Sequence, residues 1–360
     1  MKHGPVVEHP SSGEDASGRQ SPRVSIAIPV FNGAKFLSDA ANSVLRQTHT
    51  DLELIIIDNA STDGTAEICH LLAKQDPRVR IYRNERNLGA APNYNRGLEL
   101  ARGVYFKWLS HDDWISDNYI EECASALDRF PEFVIAYGIP REMVDAQTPF
   151  LDSEFTVELF GRAGPVERFG RAMQMDRSCH AIFGLMRSEV VKSTTLHRSY
   201  YTSDRNLVAE MALLGRFMCV PEAIFYNRKH SGQSMAQSKN RLFLNVWQDT
   251  SNVRSYSTIH LSRLNHAYEI WGRYPQVASR LQLSKACASH MFSPRMLLHY
   301  LDELAWSTMP RLYSGIRGAA RTAYRTIKPP KSYLGYVEGA GRTAFDESNA
   351  DELFKEGKSV

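Results

Sequence analysis

Paired cysteines, long apolar runs and a strong net charge are all absent from this 360-residue sequence. Its five cysteines show no disulfide or zinc spacing, which favours reduced thiols. No apolar run approaches the ~18 residues of a membrane span, and residues 1–20 have no apolar core of a secretory signal. A net charge of +3 is too small for a dedicated nucleic-acid binder. We therefore expect a cytoplasmic globular protein without a nucleic-acid partner.

Two phosphate-binding fingerprints are missing as well. The turn after the first predicted strand, residues 29–33, has neither the glycine-rich dinucleotide pattern nor a GxxxxGK[ST] loop. Dehydrogenases and ordinary NTPases are therefore disfavoured.

Short β-branched runs alternate with helix-period segments from Val24 to about residue 139. Alternation of this kind predicts right-handed crossovers and a mostly parallel, Rossmann-like α/β sheet flanked by helices. Strands are predicted at 24–30, 54–57, 79–82, 104–109 and 133–139. After Pro140 the pattern predicts a loop over 141–165, a helix near 166–177, a strand at 180–187, a helix near 204–215, short strands around 217–220 and 224–226, and helices from 239 to 328.

Four successive predicted strands end in Asn, Asp, Ser or Gly, where an open parallel sheet binds its ligands. Turn formation explains any one of these ends. It explains the adjacent Asp112 and Asp113 less well, because two neighbouring carboxylates repel each other unless a cation lies between them. The pattern indicates a site for Mg²⁺ or Mn²⁺ that also holds substrate phosphates.

Two stretches, residues 29–65 and 87–114, resemble the opening and the D-x-D region of family 2 glycosyltransferases. The resemblance is strong over 23–139 and weaker over 140–230. It implies a GT-A fold, a nucleotide-sugar donor (UDP-, dTDP- or GDP-linked), a divalent metal ion and inversion at the anomeric carbon.

The resemblance assigns the donor pocket first. Pro29, Val30 and Asn32 match the segment that lines the nucleotide pocket. Asp58 and Asn59 match an acidic pair that contacts base and ribose, with Asn where the family often has Asp, so a preference for uracil does not follow.

The D-x-D-D pattern corresponds to Ser110, His111, Asp112 and Asp113, with Ser in place of the first Asp. The metal role passes to Asp112 with Asp113 beside it, while Ser110 and His111 would lie against the donor. A lone His is more often structural than ligating. Three further residues either shape the donor pocket or form a tight turn: Asn87, Gly89 and Asn95.

The second half supplies the remaining groups. Asp204 matches the family's catalytic base, which removes the proton of the acceptor hydroxyl; the alternative is that it only caps a helix. Arg228 and His230 match a basic element that would stabilise the leaving diphosphate, His230 also as a metal ligand. The alternative for this pair is a solvated basic turn.

Composition predicts a disordered leader (1–22) and a disordered tail (329–360), and the pattern predicts a helical region (239–328). Between leader and helical region, the resemblance implies a catalytic domain (23–238) whose halves bind donor (23–139) and acceptor (140–238). The predicted function is sugar transfer to a glycan or lipid-linked acceptor in surface polysaccharide synthesis. Two alternatives stay open. A sugar nucleotidyltransferase would need a basic glycine-rich loop that is absent after the first strand, and a non-catalytic nucleotide-sugar-binding scaffold would not need Asp112, Asp113 and Asp204.

Segment 311–328 combines an apolar helical stripe with a second stripe of four basic residues (Arg317, Arg321, Arg325 and Lys328), and it contains no acidic residue. Such a helix either lies on an anionic membrane at the inner face of the plasma membrane or packs on the catalytic domain with its arginines in water.

Overall fold

The structure is a computed structural model that describes residues 21–143, 149–152, 163–174, 179–230, 244, 247–251 and 258–309. The strands of these ranges are β1 (Val24–Val30), β2 (Leu52–Asp58), β3 (Val79–Arg83), β4 (Tyr105–Trp108), β5 (Trp114–Ile115), β6 (Phe133–Met143), β7 (Pro149–Asp152), β8 (Leu185–Arg187) and β9 (Arg216–Arg228).

The described helices surround these strands. They are α1 (Leu37–Leu45), α2 (Thr65–Gln75), α3 (Ala90–Glu99), α4 (Tyr119–Arg129), α5 (Pro165–Met173), α6 (Ser188–Lys192), α7 (Ser203–Leu214), α8 (Ile259–Arg273), α9 (Arg280–Met291) and α10 (Pro294–Thr308). Among the described helices, none is both long and apolar enough to cross a membrane.

All strands join one mixed sheet in the order β3-β2-β1-β4-β8-β6-β9-β5, with β7 against β6. The pairs β3–β2, β2–β1, β1–β4 and β6–β9 are parallel. Strand β8 is antiparallel to both of its neighbours, and so is β5 to β9. The α/β class and the parallel first half are confirmed, and the C-terminal helices are present.

The core lies on both faces of the sheet, as the continuous apolar strands require. Ile26 and Ile28 pack with α1 and α4, whereas Ala27 between them belongs to a second cluster with α7, α8 and α9. Since side chains of a strand alternate between its faces, one apolar run contributes side chains to two separate cores. The C-terminal helices α8 to α10 lie in the same compact unit as the sheet.

Three sequence-based assignments after Pro140 were wrong. The predicted strand 180–187 is a 3₁₀ turn (His180–Phe183) followed by the short β8. The two short strands near 217–226 are one strand, β9, whose pairing skips from Val220 to Ile224, so residues 221–223 bulge out of register. The predicted loop 141–165 contains the end of β6, all of β7 and the first residue of α5.

Several predictions fall on residues outside the described ranges. These are the leader up to residue 20, the tail and the basic segment 311–328. The domain boundaries stay predictions too.

Candidate functional site

The loops after β1 and β2 are joined at the carboxyl edge of the sheet. Asn32, with a φ of 50°, donates its backbone N–H to the Ser61 hydroxyl at 2.9 Å. The Asn32 side-chain oxygen accepts the backbone N–H of Thr62 at 2.8 Å. We call residues 31–33 and 60–65 together the β1–β2 ledge. The bonds between its two loops hold the ledge as one preformed surface.

Asp58 and Asn59 lie beneath this ledge. The Asp58 carboxylate, 1% exposed, accepts the N–H of Ser61 at 2.9 Å and is paired with the Arg83 guanidinium. Asn59, 2% exposed, accepts the N–H of Leu88 at 2.9 Å. The two predicted base and ribose contacts are therefore turned toward protein and support the ledge from below. Strand residues Pro29 and Val30 are buried under it as well.

Asn87, Gly89 and Asn95 hold distant parts of the chain together. The Asn87 carbonyl accepts the Thr250 hydroxyl at 2.7 Å. Asn95 donates to the carbonyl of His197 at 3.0 Å and accepts its N–H at 3.1 Å. These bonds join segments of the protein to one another. A role of the three residues in shaping the donor pocket stays a prediction.

The second half of the chain returns to the end of β4. The Asp112 carboxylate lies 2.9 Å from Nε2 of His230, although 118 positions separate them. Both side chains stay partly open, with 14% and 22% of their surfaces exposed. The ring of Phe36, from the loop after β1, packs at 4.8 Å from the His230 ring. The structure thus brings two predicted metal ligands, Asp112 and His230, together beside the β1–β2 ledge.

Asp113 occupies a different position from Asp112. It is buried and accepts the backbone N–H of Arg228 at 2.9 Å and the amide of Asn227 at 3.2 Å. Burial, with the neighbouring Asp112 charge, raises the pKa of the Asp113 carboxyl well above its usual range. Asp113 therefore fixes the end of β9 under the site, and Asp112 is the carboxylate that faces open space.

Arg228 links the two halves through its side chain. Its Nε donates to the Asp112 carbonyl at 2.9 Å, and its guanidinium is paired with Asp39 at 2.8 Å. The guanidinium also lies 4.6 Å from the ring centres of both Phe36 and Trp114, in the range of cation–π contacts. Sequence reasoning missed Phe36 and Asp39, because nothing in α1 indicates which distant strand it faces.

Ser110 and His111 lie at the same edge. The Ser110 hydroxyl is 3.3 Å from the hydroxyl of Tyr94 on α3. A Cβ added to Gly33 would come within 2.5 Å of the His111 ring, so this glycine allows the close approach of ledge and ring. Burial lowers the pKa of the His111 imidazole. His111 therefore packs against the ledge, and its contact with the donor stays a prediction.

Asp204 is the second residue of α7, after Thr202, which has a φ of 70°. The side chain of Thr202 makes no capping bond. Burial raises the pKa of the Asp204 carboxyl. The charges of Asp112, Asp113 and Asp204 act together on the Tyr94 hydroxyl, whose pKa burial also raises. Tyr94, which sequence reasoning missed, contacts the site through its hydroxyl, which lies 3.3 Å from that of Ser110.

The donor set at Asp112 and His230 fits a divalent metal that shares its coordination with a substrate. No group of three or more His, Cys, Asp or Glu side chains able to hold a metal occurs in the described part of the chain. Mg²⁺ commonly takes one or two protein ligands and completes its shell with phosphate oxygens and water. One carboxylate and one imidazole, both partly exposed, match that pattern and do not match a closed structural metal site.

Comparison with known proteins identifies the first half of the chain. Residues 25–191 match the model of the family Glycosyl transferase family 2. Residues 25–191 are therefore similar to the family 2 glycosyltransferases.

Curated relatives share this domain over limited lengths. Glycosyltransferase GlyG of Streptococcus pneumoniae is 37% identical over 98 residues, which are 27% of this chain and 33% of that protein. The putative teichuronic acid biosynthesis glycosyltransferase TuaG of Bacillus subtilis is 38% identical over 109 residues, or 30% and 43%. The chain thus spans less than half the length of these two relatives.

A solved structure extends the likeness beyond the family domain. The crystal structure of Staphylococcus aureus TarS 1–349 in complex with UDP-GlcNAc aligns with a TM-score of 0.54 at 15% identity. The alignment covers 86% of this chain and 76% of that one. At this identity the likeness concerns the fold alone, and it extends from the sheet into the C-terminal helices.

Proposed function

We propose that this protein is a glycosyltransferase that moves a sugar from a nucleotide-diphosphate sugar to an acceptor hydroxyl with inversion. The observation that carries the proposal is the meeting of Asp112 and His230 at 2.9 Å beside the β1–β2 ledge. Together with a family 2 domain over residues 25–191, this pair gives the chain a place for a diphosphate next to a place for a nucleotide.

The names of the relatives support the substrate class. GlyG and TuaG are both named as glycosyltransferases, and TuaG is assigned to teichuronic acid synthesis. TarS was crystallised with UDP-GlcNAc. We therefore infer a nucleotide-sugar donor and a glycan acceptor in polysaccharide synthesis for this chain.

The described residues suggest how transfer proceeds. Asp204 removes the proton of the acceptor hydroxyl as that oxygen forms its bond to the anomeric carbon. The bond from the anomeric carbon to the diphosphate breaks, and the nucleoside diphosphate leaves with the electron pair. A single displacement from the opposite face inverts the anomeric centre.

The residues around Asp112 and His230 hold the leaving diphosphate. Asp112 and His230 would bind Mg²⁺ or Mn²⁺, which when present offsets the charge that develops on the diphosphate. Arg228 orients the pair through its bond to the Asp112 carbonyl. Asp113 accepts the backbone N–H of Arg228 and so fixes the position of that residue.

A donor panel tests the proposal. UDP-, dTDP- and GDP-linked sugars are titrated into the protein with Mn²⁺, and binding and donor hydrolysis are measured. We expect one donor class to bind, and we expect Asp112→Ala or excess EDTA to abolish that binding. The exposed Asp51→Ala serves as the matched control.

Three results would count against parts of the proposal. Failure of all three donor classes to bind would overturn the glycosyltransferase assignment. Full activity in EDTA would overturn the metal role alone. Release of pyrophosphate from a nucleoside triphosphate and a sugar phosphate would indicate nucleotidyl transfer instead.

Attachment of segment 311–328 to an anionic membrane belongs to the same proposal, because a lipid-linked acceptor would lie there. Co-sedimentation with anionic vesicles at low salt, lost at high salt, is the expected result. A full-length chain that stays in the supernatant at both salt concentrations would remove this part of the proposal.

A further inference from the structure

A second open surface lies at the far end of the sheet from the β1–β2 ledge. It is a groove of about 610 Å³. We call it the β5–β9 groove. Its lining consists of Arg46, Thr48, Trp114, Ile115, Ser116, Asp117, Asn118, Arg141, Met143 and Tyr226. The mechanism above uses none of these side chains as a reacting group.

An aromatic pair forms part of the lining. Strands β5 and β9 pair antiparallel with Trp114 opposite Tyr226, so the two side chains rise from the same face of the sheet. Their rings stack at 5.2 Å between centroids and 13° between planes. The Arg228 guanidinium lies 4.6 Å from the centre of the Trp114 ring, which restrains that ring further. The result is a flat aromatic surface held in place by the backbone register.

The rest of the lining is polar and carries both signs of charge. Arg46 lies 3.7 Å from Asp117, and their side chains are 60% and 61% exposed. Arg141 adds a second guanidinium to the lining, and Asn118 donates its amide to the Glu222 carbonyl at 3.1 Å. A lipid or an apolar helix would cover the exposed charges of Arg46 and Asp117, which costs free energy. Sugar rings suit such a surface, because their C–H faces pack on aromatic rings and their hydroxyls bond to amides and charged groups.

The order of the strands sets the direction of the groove. The ledge belongs to β1 and β2, Asp112 follows β4, and the groove belongs to β9 and β5, so the Asp112–His230 pair lies between ledge and groove along the sheet. Tyr226 precedes Arg228 by two residues, about 7 Å along β9. Arg228 itself touches both Trp114 and the Asp112 carbonyl.

We propose that the β5–β9 groove binds the sugar units of a glycan acceptor that precede the unit receiving the new sugar. This inference rests on the proposed function, since it needs an acceptor that is a chain. Donor enters from the ledge side and the acceptor chain lies on the groove side, with the reacting ends meeting at the Asp112–His230 pair.

Glycan binding without donor tests this inference. Wild-type protein is applied to a printed array of bacterial surface polysaccharides and their oligosaccharide fragments, and each hit is then titrated by calorimetry. Tyr226→Ala and Asp117→Ala remove the stacking and the polar contact separately. Tyr268→Ala, an exposed tyrosine of α8 outside the groove, and Asp51→Ala are the matched controls.

We expect Tyr226→Ala to weaken glycan binding about tenfold, as for an aromatic anchor in other interfaces. Asp117→Ala should weaken it less, and the controls should not change it. Binding should also quench the fluorescence of Trp114, a signal that Trp114→Phe removes.

Donor titrations on the same variants separate this inference from the proposed function. Donor affinity should equal that of the wild type in Tyr226→Ala and Asp117→Ala. A wild-type protein that binds donor but no glycan on the array would overturn the groove assignment and leave the glycosyltransferase proposal standing. Glycan binding that survives in both groove variants would equally overturn it. A wild type that binds no donor would instead overturn the proposed function.

Discussion

At the scale of single residues, Asp112 and Asp113 are adjacent in sequence and opposite in role. One is open and faces His230, while the other is buried and holds β9. The resemblance implied that Asp112, Arg228 and His230 would all serve the donor diphosphate. It could not predict which carboxylate is open, since that depends on the register of β9. For the same reason Tyr94 and Phe36 were missed, because their contacts cross between distant segments.

The role of Asp204 is testable through pH. Because burial raises the pKa of its carboxyl, the base form is lost at a higher pH than for an ordinary aspartate. We expect kcat to rise with pH through this raised pKa and then to level off. Asp204→Asn should keep donor affinity and melting temperature while lowering kcat about 10²–10⁴-fold.

Steady-state kinetics with stopped-assay product detection measures both effects. The exposed Asp51→Asn is a control that changes a carboxylate outside α7 and outside the site. A kcat of Asp204→Asn within a few-fold of wild type would place the base elsewhere, for example at Asp176, which lies outside the described residues.

Lys107 on β4 gives a prediction about stability. Its side chain is 0% exposed, donates to the Phe183 carbonyl and lies 4.6 Å from the Tyr119 ring centre. Burial lowers the pKa of the Lys107 ammonium from 10.5 to about 7, although Cys123 and Asp113 favour the charged form. Above about pH 7 the unfolded chain therefore holds a proton that the folded chain has released.

Consequently Lys107 makes the free energy of unfolding rise with pH, by at most about 1.4 kcal/mol per pH unit. We expect the free energies of unfolding of wild type and Lys107→Met, measured with urea, to converge as the pH increases from about 7 toward 9.0. The comparison ends there because cysteine thiols of the unfolded chain begin to ionise near pH 9.0. The exposed Lys74→Met should run parallel to wild type over this range. If the free energy of unfolding of Lys107→Met changed with pH in parallel with that of wild type, the buried ammonium would not be destabilised.

At the scale of elements, apolar runs predicted strands β1 to β4 well, because strands buried on both faces need little else. The segment 180–187 shows the limit of such runs. It is short and mildly apolar, and only the two-residue pairings of β8 with β4 and β6 decide where the strand begins. The sequence also predicted two strands near 217–226, whereas the β6–β9 pairing continues across residues 221–223 with a bulge.

The start of α3 depends on Gly89. Its φ is 91°, and an added Cβ would lie 2.5 Å from the Asp249 Cα. We expect Gly89→Ala to cost about 1–3 kcal/mol, because it combines backbone strain with a backbone contact that cannot yield. Gly64→Ala is the matched control, with a φ of −71° and its nearest contact, the Ala34 Cβ, at 3.7 Å.

Thermal melting compares the two glycine variants. The expected sign is a clear fall in melting temperature for Gly89→Ala and a much smaller change for Gly64→Ala. Equal melting temperatures would show that residues 248–249 move away from α3 at little cost.

At the scale of the whole molecule, the C-terminal helices complete the core of the sheet. Ala267, Ile270 and Leu283 are fully buried in the same cluster as Met211 of α7. A chain ending at the predicted domain boundary, residue 238, would expose this cluster to water. We expect such a chain to aggregate or to bind the dye ANS, whereas a chain ending at residue 309 should melt cooperatively near the wild-type temperature.

Circular dichroism and dye binding on the two truncated chains measure this difference. A soluble, cooperative fragment ending at 238 would show that the helices form an independent domain. The sequence predicted helices after residue 239 correctly, yet it gave no sign of what they cover, because amphipathic helices look alike whether they pack on their own sheet or elsewhere.

The contact between Asp112 and His230 also bears on the order of folding. It closes a loop of 118 residues, and the Asp113–Arg228 bond beside it closes one of 115. Closing loops of this length is entropically costly before other contacts form, and distant pairings slow folding. The Asp112–His230 pair therefore assembles after the parallel half of the sheet, whose strands pair with near neighbours in sequence. During refolding, catalytic competence would return with the slowest structural phase, so enzyme activity is the measurement that reports the end of folding.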